Sequence, residues 1–555
     1  MLETKNINTH RTVAQDGLLA DPVQITENHR LHKQSTLPAW SDWQKVAFRI
    51  SFVFFVSMAI PNSAGWYKDL VALDWTRAHY RDVYDIARFG SGLDFFGRTF
   101  FGSPLNGYAT WVITFLVSVA AGLIWTVIDK RRKPEPKEYN RLYYWLRVVV
   151  RYRAGIGIIG FGFTKLLPTQ MPYPSFGLLN TDFGDFTLQK IYWLSIGIVP
   201  WYQVFAGVVE LAAGILLFFR GTTTLGAILL FGALGDIVYV NFAYDGGVHV
   251  YSTYFVLLAA FLIANDVPRL YNLLVLERFT VPFNYYPAFT KTWQKVVRYG
   301  LKSVVIAVFC FFLLYLQYIN FKYDPYKQPA TAGLKELRGN YNVTEFRINN
   351  QEIAYSPEDT VRWQWATFEN WTSLTFKVNK PHPLDLSNGG GSPMRDLERT
   401  FELTGTAGGQ RVYHYLADTV NHTLYLRDKY NKSGNRDGVA AAEKDIKGKG
   451  QGVKGKDRAG KEDKNWISKE ALANIGDENT KIDPRAASTR RDKEFAAKPK
   501  KDKRNRMVLS YTTTDGSRVI LKGINEKKDS IYVVLDRVER SYALSKSTLN
   551  AGKYD

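Results

Sequence analysis

The sequence predicts an all-α transmembrane bundle of about seven helices, with a four-helix core, followed by a small all-β extracytoplasmic domain. Three observations predict it. Up to about Phe321 long apolar runs alternate with polar loops, two of them strongly basic. Beyond Lys322 the pattern changes to the two-residue alternation of strands. Residues 200–219, PWYQVFAGVVELAAGILLFF, are long enough to cross a hydrocarbon core of roughly 30 Å, yet carry Glu210 at their middle. An ionisable group placed there costs a few kcal/mol and needs a buried partner, so Glu210 is either a site or a structural polar pin between helices.

Composition narrows the function classes. The chain has 555 residues, 46% of them hydrophobic, which is enough for two or three domains. Formal net charge is +20, and residues 429–506 hold 23 Lys and Arg against 13 Asp and Glu. Half of the basic excess thus sits in one tract, read as a solvated low-complexity insertion. Nucleic-acid binding would need aromatic residues interleaved with the basic ones, and Trp466 and Phe495 are the only aromatics between Asn431 and Arg506. Nucleic acid is therefore excluded as a partner, and weak contact with acidic lipid or polymer fits the tract better. The single cysteine, Cys310, allows no intramolecular disulfide, CxxC pair or cysteine metal site.

Taken in order, residues 1–45 are polar and lack the basic-then-apolar pattern of a signal peptide, which makes them a cytoplasmic tail with an interfacial turn near Trp40 and Trp43. Residues 46–128 form a membrane hairpin (46–60 and 109–128) around an outer loop. Residues 129–153 carry nine Lys and Arg against three acids, and short loops that basic stay inside. The core then spans 145–270, with helices over 148–167, 200–219, 225–242 and about 248–264. Glycines 155, 157, 160 and 162 in the first of these allow close helix approach. Residues 271–321 supply a second basic inner loop and a last helix, and seven crossings place the rest of the chain outside. Residues 322–428 and 507–555 form the β domain, a small barrel or sandwich with strands at 341–348, 361–365, 373–378, 422–426, 507–511, 518–522 and 530–535. The basic insertion 429–506 interrupts one hairpin.

The chemistry follows from depth. Glu210, ten residues below Pro200, lies about 15 Å down, and Asp236 about 9 Å below the outer end of its helix. Lys165 and Gln170 end their helix at the outer face, and Asn241, Asp245 and His249 ring the same mouth. Such an acid cluster with one lysine and one histidine can pass protons to a lipid-soluble substrate. Each member also has a plainer reading: Lys165 as a snorkelling anchor, Asn241 as a helix cap, Asp245 and His249 as loop residues. Haem is disfavoured, because the seven other histidines all fall outside the predicted helices and a membrane b-type haem usually takes two.

These residues carry a family likeness. The run GFGFTKLLPTQMPYPS (160–175), then Gly184-Asp185-Phe186, FAGVVELAAGILLFFRGTTTLGA (205–227) and Asn241-Phe-Ala-Tyr-Asp245 resembles the DoxX family, more closely its larger relatives with extra amino-terminal helices. The likeness covers roughly residues 145–270; His249 and Asp236 stand where Lys and Asn are expected in those relatives. It implies a subunit of quinone-linked redox chemistry in a bacterial inner membrane, with Lys165 and Glu210 as catalytic groups. Asn241, Asp236, Asp245, His249 and Gln170 would line a quinone site, and electrons would come from a partner protein. The layout of a membrane bundle plus an outer β domain is also similar to vitamin K-dependent carboxylases, in which Lys165 would be the base. A third expectation is a non-catalytic anchor that acts through its β domain.

Overall fold

The structure is a computed structural model that describes residues 39–90, 92–93, 106–131, 138–280, 285–391, 393–431, 466–497 and 504–554. Residues 1–38 of the tail, and 432–465 and 498–503 of the basic insertion, lie outside the described residues.

The helical half runs α1 (Asp42–Ala59), α2 (Ala64–Val71), α3 (Tyr80–Ala87), α4 (Asn106–Arg131), α5 (Asn140–Leu166), α6 (Phe176–Leu179), α7 (Leu188–Gly197), α8 (Pro200–Leu217), α9 (Thr223–Ala243), α10 (His249–Ala264), α11 (Val267–Leu274) and α12 (Thr292–Tyr323). Among the described residues four helical spans, Gly107–Arg131, Pro200–Leu217, Arg220–Ala243 and Thr292–Tyr323, are long and apolar enough to cross a membrane. The number rises to six if the bent pairs α1–α2 (51°) and α10–α11 (74°) each count as one span. The expected seven is not reached. The shortfall is α5, which is 27 residues long but carries Arg141, Arg147, Arg151, Arg153 and Lys165.

The physical reason is position. From Val150 to Lys165 nearly every residue of α5 is buried, Arg151, Arg153 and Lys165 included. Their charges meet protein, and their number keeps the helix outside the apolar spans. Glycines set its closest neighbour. A Cβ on Gly162 would stand 3.2 Å from the Gly207 carbonyl oxygen of α8, and one on Gly207 would stand 2.5 Å from Leu166 N. Gly155 and Gly214 meet in the same way one heptad along. Two glycines seven residues apart on each helix therefore lock an antiparallel pair at backbone contact.

The β half is an eight-stranded antiparallel barrel. Its strands are β1 (Gly339–Ile348), β3 (Trp365–Phe368), β4 (Ser373–Lys377), β5 (Gln410–Asp418), β6 (Thr423–Asp428), β7 (Arg506–Thr512), β8 (Arg518–Ile524) and β9 (Ser530–Val538), with the two-residue β2 (Gln351–Glu352) folded back on β1. Each strand pairs with the next, and β9 closes on β1. The interior is filled with side chains such as Tyr341, Phe368, Tyr415 and Leu521, and Trp363 stacks on Phe376 at 3.8 Å. The sequence missed β5 because both of its faces are largely covered, so no wet face alternates with a dry one. Leu416, on the outer face, packs with Tyr425 under Ile467, Ala471 and Ile475.

Those last residues correct a second expectation. Residues 466–497 of the tract read as a solvated insertion between β6 and β7 form three short helices: α13 (Lys469–Ile475), α14 (Glu478–Lys481) and α15 (Thr489–Ala496). Their charges are partnered, which composition does not reveal. Arg490 bonds Asp82 and Asp85 of α3, each at 2.9 Å, and Arg77 reaches Asp492 at 2.8 Å. The β domain, the insertion and the loop at 61–108 are thus held together.

A buried ionic knot joins barrel and bundle just beyond α12. Arg399 is fully buried and donates to Asp324, Pro325 O and Gln328 O. Asp396 accepts from Ala330 N at 2.7 Å and Thr331 N at 2.9 Å. Nearby, Glu369 at the end of β3 accepts from Phe176 N (2.9 Å) and Gly177 N (2.7 Å), capping α6 from the barrel side. Burial pushes the Glu369 carboxyl up from its ordinary 4.5 to about 7, outweighing those two donors. The folded protein therefore holds this proton more tightly than the unfolded chain between about pH 4.5 and 7, and stability falls as pH rises through that window. We expect the Glu369→Gln variant to gain melting temperature relative to wild type across it, equivalent to about 2–3 kcal/mol, and no further above it. A difference that does not change with pH would show that Glu369 is ionised throughout.

Candidate functional site

The face of α8 that meets α5 reads Gln203, Gly207, Glu210, Leu211, Gly214, Leu217, a helical stripe with one charge in it. Pro200 starts the helix where a missing N–H costs nothing. Lys165 lies three residues past Gly162, and Glu210 three past Gly207. The glycine contact therefore brings the two side chains together across the helix pair. Lys165 Nζ donates to Glu210 Oε1, with side-chain exposures of 9% and 2%. The second oxygen, Oε2, is buried and has no hydrogen-bond partner among the described residues. This is the buried partner that a carboxylate in an apolar helix needs, with one acceptor position left over.

Tyr192 of α7 lies on the same side, with no hydrogen bond to either member of the pair among the described residues. The Tyr192 phenol is half-buried, and burial pushes it up to about 12, followed by the carboxylate of Asp236 and then Tyr202 and Glu210. Tyr192 therefore sits within electrostatic reach of both acids, and its ring lies 5.1 Å from that of Tyr244. Asp236 is exposed, and on the outward side of α8 Trp201, Tyr202, Phe205 and Val208 are exposed as well. A lipid-soluble molecule can reach this side of the helices without crossing the bundle.

The remaining expected members go elsewhere. Gln170 Oε1 accepts from Thr164 Oγ1 at 3.3 Å and finishes the end of α5. Asn241 donates to Ile237 O at 2.7 Å and accepts from Val248 N at 3.4 Å, closing the turn into α10. Asp245 is exposed at the left-handed φ of 52° in that turn. His249 is stacked between Phe242 (4.4 Å) and Tyr108 (5.7 Å), with Nδ1 3.3 Å from Tyr108 Oη. None of the four bonds to Lys165 or Glu210. Asp236 and Asn241 are five residues apart, about 140° around a helix, so they cannot serve one mouth.

Sequence reasoning missed two residues here. Tyr192 lies between the helices expected at 148–167 and 200–219, and nothing local in the sequence marks it. Arg153 was counted with the basic inner loop, but it lies inside the bundle, where Nη1 donates to Ala87 O at 3.0 Å and the guanidinium covers the Phe89 ring at 3.9 Å. The Tyr251 and Tyr254 phenols lie beside the same guanidinium, which also faces the Tyr254 ring at 5.1 Å. Four arginines within thirteen residues of one long helix were the signal that some of them must be inside.

No protein-family model, curated protein or solved structure matches the chain.

Proposed function

We propose that this chain is a multi-pass DoxX-like membrane protein in which Lys165 and Glu210 exchange protons with a lipid-soluble quinone, as a subunit of a redox system. The observation that carries this reading is the buried pair with the unpartnered Glu210 Oε2. A quinone oxygen that takes up electrons must also take up protons, and a carboxyl group in a dry site beside a fixed cation is suited to deliver them. In this reading Glu210 carries the proton at Oε2, Lys165 balances the charge left when it departs, and Tyr192 and exposed Asp236 connect Oε2 to water. Electrons come from a partner protein, since the single cysteine supplies no redox pair.

The topology that goes with it is seven crossings in a bacterial inner membrane, amino terminus inside and barrel outside. It is supported by the helix ends. The starts of α1, α5 and α9 and the end of α10 line one cavity, so α10 runs opposite to the other three. Basic residues gather at that same end.

The second reading, a non-catalytic assembly protein acting through its barrel, is favoured by the buried knot at Arg399 and by the filled barrel interior. Quinone retention separates the two. A quinone is expected to co-purify with the wild type and to be lost from Glu210→Gln, and its absence from both would leave the assembly reading.

A further inference from the structure

The same helix ends enclose a cavity of ≈ 820 Å³ that the proposed redox site does not use. Four arginines line it: Arg147 and Arg151 of α5, Arg220 before α9, and Arg269 of α11. No acidic side chain stands among the described residues of its wall. Behind the wall, Asp266 Oδ2 accepts from Thr224 Oγ1 at 2.7 Å and faces Arg147 at 3.5 Å. Arg151, Arg220 and Arg269 have no ion-pair partner among the described residues. The Nε atoms of Arg151 and Arg269 are buried with no hydrogen-bond acceptor, while Arg220 is oriented by stacking on Tyr286 at 4.0 Å.

Gathering four guanidinium groups about a recess with one carboxylate, that of Asp266, behind it is costly, and a bound anion lowers that cost. The planar fork of arginine matches phosphate oxygens in particular. We propose that this cavity is a phosphate-binding site whose ligand is either the head group of an acidic phospholipid or a soluble phosphate ester. Its size falls in the range of small-molecule sites, roughly 300–1,000 Å³, and is far more than a bare phosphate needs. Trp40, Trp43, Phe48 and Phe261 add an apolar wall, and Trp43 is 71% exposed, a position suited to the start of an acyl chain. Basic recesses between membrane helices near an anionic leaflet bind lipid head groups on these grounds.

The experiment is the thermal stability of the delipidated full-length protein in neutral detergent, titrated with phosphatidylglycerol, phosphatidylcholine, inorganic phosphate or glycerol phosphate. The expected result is a saturable rise of several degrees with phosphatidylglycerol and none with phosphatidylcholine. If inorganic phosphate or glycerol phosphate reproduces the rise, the site stands and its ligand is soluble. The Arg220→Gln/Arg269→Gln variant avoids the deeply buried Arg151 and should melt like the wild type without ligand while binding at least tenfold more weakly. Arg518→Gln, on the exposed barrel surface, should bind as the wild type does. Equal responses to the two lipids with no response to phosphate, or unchanged binding by the double variant, would overturn the proposal.

Discussion

Replacing Arg399 with alanine is expected to cost about 3–5 kcal/mol and to loosen the barrel from the bundle, because it strands the carboxylates of Asp324 and Asp396 in a dry interior. Both acids are fully buried, and Arg399 approaches each of them while donating to the carbonyls of Gln328 at 2.8 Å and Met394 at 3.1 Å. Arg491 of α15 stands 3.5 Å from Asp324 and cannot replace those contacts. An exposed pair on the same barrel gives the scale. Arg518 and Asp536 are separated by 2.6 Å but are 64% and 30% exposed, so Arg518→Ala should cost under about 1 kcal/mol. Melting curves and limited proteolysis between α12 and β1 read both variants. Equal and small effects would mean that the knot is hydrated rather than buried.

The second large effect concerns the buried pair of Lys165 and Glu210. Glu210→Ala leaves the Lys165 ammonium uncompensated between α5 and α8, and Lys165→Ala does the same to the carboxylate. Each should cost about 3–5 kcal/mol. Removing both charges together with groups of similar volume, Lys165→Met with Glu210→Leu, should restore most of that stability, since a well-packed apolar pair commonly equals or exceeds a buried ionic one. Single variants near wild-type stability would place the two side chains in water, against exposures of 9% and 2%.

How much of this was legible in the sequence depends on the range of the contact. Glu210 stood out because one carboxylate in an apolar run of membrane length needs an explanation within its own helix. Lys165 was placed at the outer face, shallower than Glu210, and the glycines three residues before each charge were the signal of the register that joins them. The barrel strands were visible where one face is wet, as in β7, where buried and less buried positions alternate regularly. They were invisible in β5, whose outer face α13 covers. Asp236 was grouped with Asn241 because depth was used without helical angle, while Asn241, Asp245 and His249 do lie about one turn, where Asn241 accepts from Val248 N. The Arg399 knot was beyond reach, since its partner Asp324 lies 75 residues away in a loop and nothing local distinguishes that arginine from its neighbours. Arg490 and its acids in α3 were hidden in the same way, inside a tract whose average charge reads as solvated.

The account rests on Glu210 as a proton-exchanging group, and the apolar double variant tests it while keeping the fold. Lipids extracted from the purified wild type and from Lys165→Met/Glu210→Leu, matched for melting temperature, are identified by mass spectrometry. The predicted result is a stoichiometric quinone in the wild type that is missing from the double variant while its phospholipid content is unchanged. Equal quinone in both, or none in either, would contradict the claim and leave Lys165 and Glu210 as a structural pin between two helices.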